Sequence, residues 1–168
     1  MSETEFSALR QDWQELLGRS GADPLFMSWD WQWLWWKHHG VPLRARLRLF
    51  AVRSSSGRLL ALLPLYERTV RVRGLPLRRL ELIGHAWHNP EAYFSEYLDL
   101  IVDRDAASFV LPAVFQHMGR LPWDELAIAG VLHDSHMAQA KRQWLGTFTT
   151  LREEGTSFGF RVSLAAGF

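Results

Sequence analysis

Five of the nine tryptophans in the chain, Trp29, Trp31, Trp33, Trp35 and Trp36, fall within eight consecutive residues. This run limits the possible folds more than any other feature, because each indole has a large ring to bury and an N–H that needs an acceptor. On a helix over residues 29–38, Trp29, Trp33 and Trp36 share one face, while Trp31 and Trp35 lie nearly opposite. Such a helix is aromatic on both sides and needs two covers. The run also alternates with period two, as a strand does. The helix is preferred because both ends are signalled. Ser28 before Trp29 and Asp30 is an N-cap with an acidic first turn, and His38, His39 and Gly40 form a C-terminus. One face packed on a sheet and the other under a loop or a second domain would account for the cluster. The functional alternative is stacking on sugar rings or an acyl chain, with Trp33 and Trp36 as the substrate-contacting candidates.

At 168 residues and 19.5 kDa the chain is one domain, or two small ones sharing a core. Hydrophobic residues at 48% and charged residues at 22% exclude disordered and collagen-like classes. With no cysteine, disulfides, thiolate metal sites and a cysteine nucleophile all drop out, which suits a reducing compartment. Residues Met1 to Arg10 carry Glu3 and Glu5 and no apolar segment, unlike a signal or transit peptide. The longest apolar stretch, Leu59 to Tyr66, contains Pro64 and falls well short of the roughly 18 residues that span a bilayer. The expectation is a soluble, cytoplasmic chain without a transmembrane segment.

Phe6, Leu9, Trp13, Leu16 and Leu17 form a helical stripe over Glu5 to Gly18, with Ser2 or Thr4 as cap. From Arg44 the period becomes two, with Arg44, Arg46 and Arg48 alternating with Ala45, Leu47 and Leu49. Ser54 to Gly57 turns the chain. Leu59 to Tyr66, Arg68 to Val72 and Leu77 to Ile83 follow, broken at Gly74-Leu75-Pro76, as an antiparallel meander of three or four strands. Gly84 to Glu96 reads as a loop and Tyr97 to Val102 as a short strand. Ala106 to Met118 is a helix that must absorb Pro112, Leu126 to Ala129 a buried strand and His133 to Trp144 a helix. Thr147 to Arg152 and Gly159 to Leu164 read as strands. The fold class is α/β (α+β), with a mixed, mainly antiparallel twisted sheet flanked by about four helices.

Chemistry-bearing patterns are sparse. His85-x-x-His88 and His133-x-x-His136, with Asp99, Asp103 and Asp134 near in sequence, raise a metal site. However, the first pair sits in a loop beside Asn89-Pro90 and no H-E-x-x-H occurs, so no metal is assigned. Between residues 41 and 80 there are ten arginines against Glu67 alone, while residues 81–125 hold eight acids against Arg104 and Arg120. Arginine alternation is what the solvent face of an amphipathic strand looks like, and no helix-turn-helix, zinc-finger or RNA-recognition signature appears, so nucleic acid is not assigned as a partner. An acidic partner surface, on another chain or within the same protein, fits the asymmetry better. Nucleophile-elbow, Walker and dinucleotide-binding motifs are all missing, and nothing names a reaction unaided.

The run Asp23-Pro24-Leu25-Phe26-Met27-Ser28-Trp29, continuing through Trp33, Trp35 and Trp36, resembles the opening of bacterial GNAT-type acyltransferases of the CelD-like group. In that group a P-F-x-S-x-x-W-x-x-x-W-W run precedes the first strand. Leu49 to Val52, Ala61 to Tyr66 with its Pro64-Leu65, Leu80 to Gly84 and Tyr97 to Ile101 resemble that group's strand, P-L strand, L-x-x-x-G strand and D-x-L segment in order. The chain is similar, more distantly, to the FemAB aminoacyl transferases, which are built from two GNAT-like halves.

The resemblance implies that residues 1–168 are the N-terminal GNAT-like half domain of an N-acyltransferase whose second, catalytic half is missing. The activity implied is transfer of an acyl group from acyl-CoA to an amine or hydroxyl acceptor, with polysaccharide or cell-envelope biosynthesis as the implied setting and this half alone inactive. Acyl-CoA is the cosubstrate of the full protein. The stretch Gly84 to Pro90 lacks the glycines that hold pyrophosphate in GNAT folds, so the residues contacting acyl-CoA are left open. Implied partners are a second GNAT-like half or partner chain and a small-molecule or saccharide acceptor. If this half contributes to catalysis, His85 or His88 acts as a relay, with Trp87 and Asn89 shaping the acceptor pocket. The alternative is a noncatalytic module that binds a polysaccharide or a partner protein.

Overall fold

The computed structural model describes residues 2–86 and 95–143. Among them are five α-helices and a five-stranded, mainly antiparallel open sheet, a mixed α+β architecture. The N-terminal stripe is divided at Leu9 into α1 (Glu3–Ala8) and α2 (Arg10–Arg19). Ser2 starts α1 with a capping box: its Oγ accepts from the Glu5 N–H at 3.2 Å, and Glu5 Oε2 accepts from the Ser2 N–H at 2.6 Å. Phe6, Leu9, Trp13 and Leu16 are buried, so the stripe itself holds across the break.

Ser28 caps α3 (Trp29–Trp35), its Oγ accepting from the Trp31 N–H at 3.2 Å. The α-helix does not continue to His38. Trp36–Gly40 instead forms a π-helical turn, closed by the Val41 N–H on the Trp36 carbonyl at 3.2 Å. The Trp36 indole lies against the backbone at Gly40, where a Cβ would stand 2.2 Å from a ring carbon.

The sheet comprises β1 (Arg46–Arg53), β2 (Leu59–Val72), β3 (Leu75–Leu82), β4 (Ile101–Val102) and β5 (Glu125–Ala127), in the order β1–β2–β3–β5, with β4 on β2 along the same edge as β3. All neighbours are antiparallel except β3 and β5. β2 is one long strand, not two segments, because Glu67 stays in the ladder opposite Arg46 and accepts from Arg48 Nη2 at 3.0 Å. Arg73 and Gly74, at φ 50° and 86°, make the two-residue turn into β3. The helix α4 (Ala107–Met118) covers one face, His117 lying 5.8 Å from Phe50, which pairs with Leu63. The helix α3 covers the other, Trp35 lying 5.5 Å from Tyr66, which pairs with Leu47. The main core lies in these two layers.

Two expected strands are shorter than their apolar runs. Tyr97 has φ 56°, and Asp99 turns away to accept from the N–H groups of His136 and Met137 at 2.9 and 2.8 Å, so only Ile101–Val102 pair. Asp99 thereby caps α5 (His136–Gln143) from 37 residues away. Leu126 to Ala129 pairs only through Ala127. The expected strands Thr147 to Arg152 and Gly159 to Leu164 lie outside the described residues, as does the end of the His133 to Trp144 helix.

The charge asymmetry is largely resolved within the molecule: Arg58 pairs with Asp103, Arg68 with Glu81, Arg78 with Asp124 and Arg79 with Glu125. Asp103 has 3% of its side chain exposed and also takes Arg19 Nε at 3.0 Å, tying α2 and the start of β2 to the residue after β4. The Arg58 and Arg19 guanidiniums hold its carboxyl below the usual aspartate range. Asp103→Ala should cost about 2 kcal/mol, since it removes a buried carboxylate from two half-solvated arginines. Urea unfolding should show a lower midpoint at unchanged slope. A midpoint equal to wild type would refute the clamp.

Candidate functional site

Strand alternation and the Arg73–Gly74 turn place Tyr66 opposite Glu81 and Arg68 opposite Arg79 on the face covered by α3. Glu81 is fully buried and accepts from Arg68 Nε at 2.5 Å. Beside it, Arg79 Nε donates to Glu125 Oε2 of β5 at 2.7 Å. The buried Tyr66 hydroxyl donates to the His85 carbonyl at 2.7 Å, where the chain leaves β3. Burial raises the Tyr66 hydroxyl pKa, and the Glu81 charge adds to the shift. His85 is 8% exposed. Burial, with Arg68 second, lowers its imidazole to about 4, so it is neutral at pH 7.

An aromatic patch borders this strand end. Phe26 meets Trp31 edge-on at 5.0 Å and Tyr97 at 6.1 Å, and all three are half-buried. Trp31 Nε1 donates to Ser95 Oγ at 2.8 Å, and the Ser95 N–H donates to the Gly84 carbonyl at 2.8 Å, one residue before His85. From the buried side Gln32 of α3 donates to the Ile83 and Phe26 carbonyls at 3.0 and 2.8 Å, while its Oε1 has no partner. The chain leaving β3 is thus held by Tyr66, Gln32 and Ser95.

Of the residues singled out from the sequence, His85 lies within this arrangement. Trp87, His88 and Asn89 lie outside the described residues. Trp33 stacks on Trp29 at 5.3 Å and meets Phe6 edge-on at 5.3 Å, in the aromatic packing between α1 and α3. Trp36 is 4% exposed, donates to Glu3 Oε1 at 3.1 Å and lines a shallow groove of about 340 Å³ with Glu3 and residues 45–48 of the β1 edge. Neither tryptophan is joined to His85 by any described contact. Among the described residues no group of three histidines and acids is arranged to hold a metal, and both oxygens of Asp99 are used in capping α5. No helix among them is long and apolar enough to cross a membrane.

Tyr66, Arg68, Glu81, Phe26 and Tyr97 were not singled out from the sequence as site residues, and Trp31 was noted only within the tryptophan cluster. The first three had a signal, since centring a hairpin on Arg73–Gly74 pairs Tyr66 with Glu81 directly. The aromatic patch had a partial one in the tryptophan run, which holds Trp31 and lies close to Phe26, but the meeting with Tyr97 requires the tertiary fold. Comparison with known proteins brings no significant match to a family model, a curated sequence or a solved structure.

The buried neutral imidazole carries a pH signature. Its folded pKa of about 4 lies below the ordinary 6.5, so the unfolded chain binds more protons between those values. Stability present above pH 6.5 is therefore lost as pH falls toward 4, by at most about 3 kcal/mol from this group. His85→Gln should flatten that part of the unfolding free energy against pH. Parallel curves for the two proteins would show that His85 is not responsible.

Proposed function

We propose that the chain is an acyl-transfer module, the N-terminal GNAT-like half of an N-acyltransferase that moves an acyl group from acyl-CoA to an amine or hydroxyl acceptor in polysaccharide or cell-envelope biosynthesis. The observation that carries this reading is the strand end at Gly84–His85. There the backbone of His85, whose imidazole is buried and neutral, is held by the Tyr66 hydroxyl, and the Phe26–Trp31–Tyr97 patch is tied to the preceding Gly84 carbonyl through Ser95. Support also comes from the position of the family-like segments. The Asp23 to Trp36 run builds the Ser28 cap and α3, the P-L segment builds the middle of β2, and the L-x-x-x-G segment ends at this site. In this reading His85 accepts or relays the proton of the attacking amine or hydroxyl, and the aromatic patch packs against the acceptor.

The described part of the strand end does not suit a pyrophosphate. The His85 N–H is spent on the Leu82 carbonyl at 3.2 Å, and the sequence from Gly84 to Pro90 lacks the glycines that hold pyrophosphate in GNAT folds. The phosphate-holding side of acyl-CoA is therefore assigned to a second GNAT-like half or partner chain. Thiol release from acetyl-CoA with glucosamine as acceptor, measured on the intact protein, tests the reading. His85→Ala or His88→Ala should slow release at least about tenfold if that histidine is the relay. Wild-type rates in both variants would remove the histidines from the chemistry.

One observation favours a noncatalytic reading. The Tyr66 hydroxyl and the Glu81 carboxylate are engaged within the fold, while Phe26, Trp31 and Tyr97 remain half-open on one side, as a sugar-stacking patch would be. Quenching of tryptophan fluorescence by a cello-oligosaccharide, reduced in Trp31→Ala and unaccompanied by thiol release, would select that reading over acyl transfer.

A further inference from the structure

The β2–β3 hairpin extends beyond the rest of the sheet. β1 last pairs with β2 at Glu67, β5 first pairs with β3 at Arg79, and Asp124 reaches one residue further to Arg78. Among the described residues, 70–77 pair only with each other, ending in the tight turn at Arg73 and Gly74. Alternation puts Val70, Val72, Leu75 and Leu77 on one face of this arm and Thr69, Arg71, Pro76 and Arg78 on the other. Val72 and Leu75 lie directly opposite each other at the tip, 40% and 68% exposed. They are the only two exposed large apolar residues paired across strands among the described residues. No acid occurs between Glu67 and Glu81. Arg78 is matched by Asp124, but Arg71 reaches only the Gly74 carbonyl at 3.5 Å, and Arg73 makes no ion pair among the described residues.

We propose that this arm docks the chain on an anionic lipid surface, with Leu75 and Val72 entering the boundary between headgroups and acyl chains and Arg71 and Arg73 among the anionic headgroups. An apolar tip flanked by unmatched cations complements a surface that is negative outside and oily beneath. A narrow convex tip is too small for the roughly 800 Å² per partner that a stable protein interface buries. A second copy of the arm would bring Arg71 and Arg73 against their own likeness, and a nucleic acid would leave the apolar pair without a partner. Two side chains and two guanidiniums give a weak, reversible association, strengthened by anionic lipid and weakened by salt. The surface is separate from the Gly84–His85 strand end and does not depend on the acyl-transfer reading.

The test is co-sedimentation of the full chain with vesicles of phosphatidylcholine alone and of phosphatidylcholine containing phosphatidylserine. Binding is expected only with phosphatidylserine, and it should decline as salt is raised. Leu75→Asp should lower the partition constant at least about tenfold, and Arg73→Asn, which keeps a residue tolerant of the left-handed turn, by about fivefold. Circular dichroism checks that Leu75→Asp folds, and Arg73→Asn carries the test if it does not. Equal or negligible sedimentation with both vesicles, or binding unmoved by both variants, overturns the proposal. A dimer in size-exclusion chromatography that Leu75→Asp dissociates also overturns it, by giving the arm to a second copy.

Discussion

The pairing of β2 with β3 depends on two consecutive left-handed residues, Arg73 and Gly74. A two-residue turn of this kind matches the strand twist and fixes which residues face each other. With it in place, Leu65 meets Leu82 on the α4 face, and Tyr66 meets Glu81 on the α3 face. A one-residue slip would exchange those faces, placing the Glu81 carboxylate among leucines and Leu82 against Arg68. The buried ion pair, the tyrosine that holds the strand end and the apolar strip of the arm are all consequences of the same register.

The arginines extend that logic to the whole molecule. Ten of them cluster in about a quarter of the sequence, and several face acids that arrive later in the chain. Asp103 is the central case, because it sits beyond β4 and joins arginines from α2 and from the start of β2. Arg48, Arg68 and Arg79 pair across or along the sheet. Among the described residues this leaves Arg71 and Arg73 on the hairpin, with Arg44 and Arg46 around the start of β1, as the arginines of the cluster without an ion pair.

Local patterns were legible in the sequence wherever the local pattern itself determines the structure. The Ser28 cap, the alternation that buries Leu47 and Leu49, and the stripe of Phe6, Leu9, Trp13 and Leu16 all stand as read. Misreadings occur where distant groups intervene. Tyr97 to Leu100 has strand-forming side chains, but Asp99 is drawn to the start of α5 and Tyr97 adopts a left-handed backbone. The tryptophan helix changes type at Trp36 because that indole folds over Gly40, a contact that no periodicity encodes. Of the candidate site, His85 was visible as a polar residue at a strand end. Its supports were not, since Tyr66 and Glu81 require the register and the Phe26–Trp31–Tyr97 patch requires the tertiary fold.

The Asp99 cap also bears on how the molecule comes apart. Its buried carboxylate satisfies the first amides of α5, while Leu98, the residue before it, donates to the Gly130 carbonyl at 2.8 Å. Freeing α5 therefore strands a charge away from water, and moving residues 98–99 exposes helix amides that have lost their acceptor. The two segments are bound to open together, as one cooperative unit whose amides share a single opening free energy.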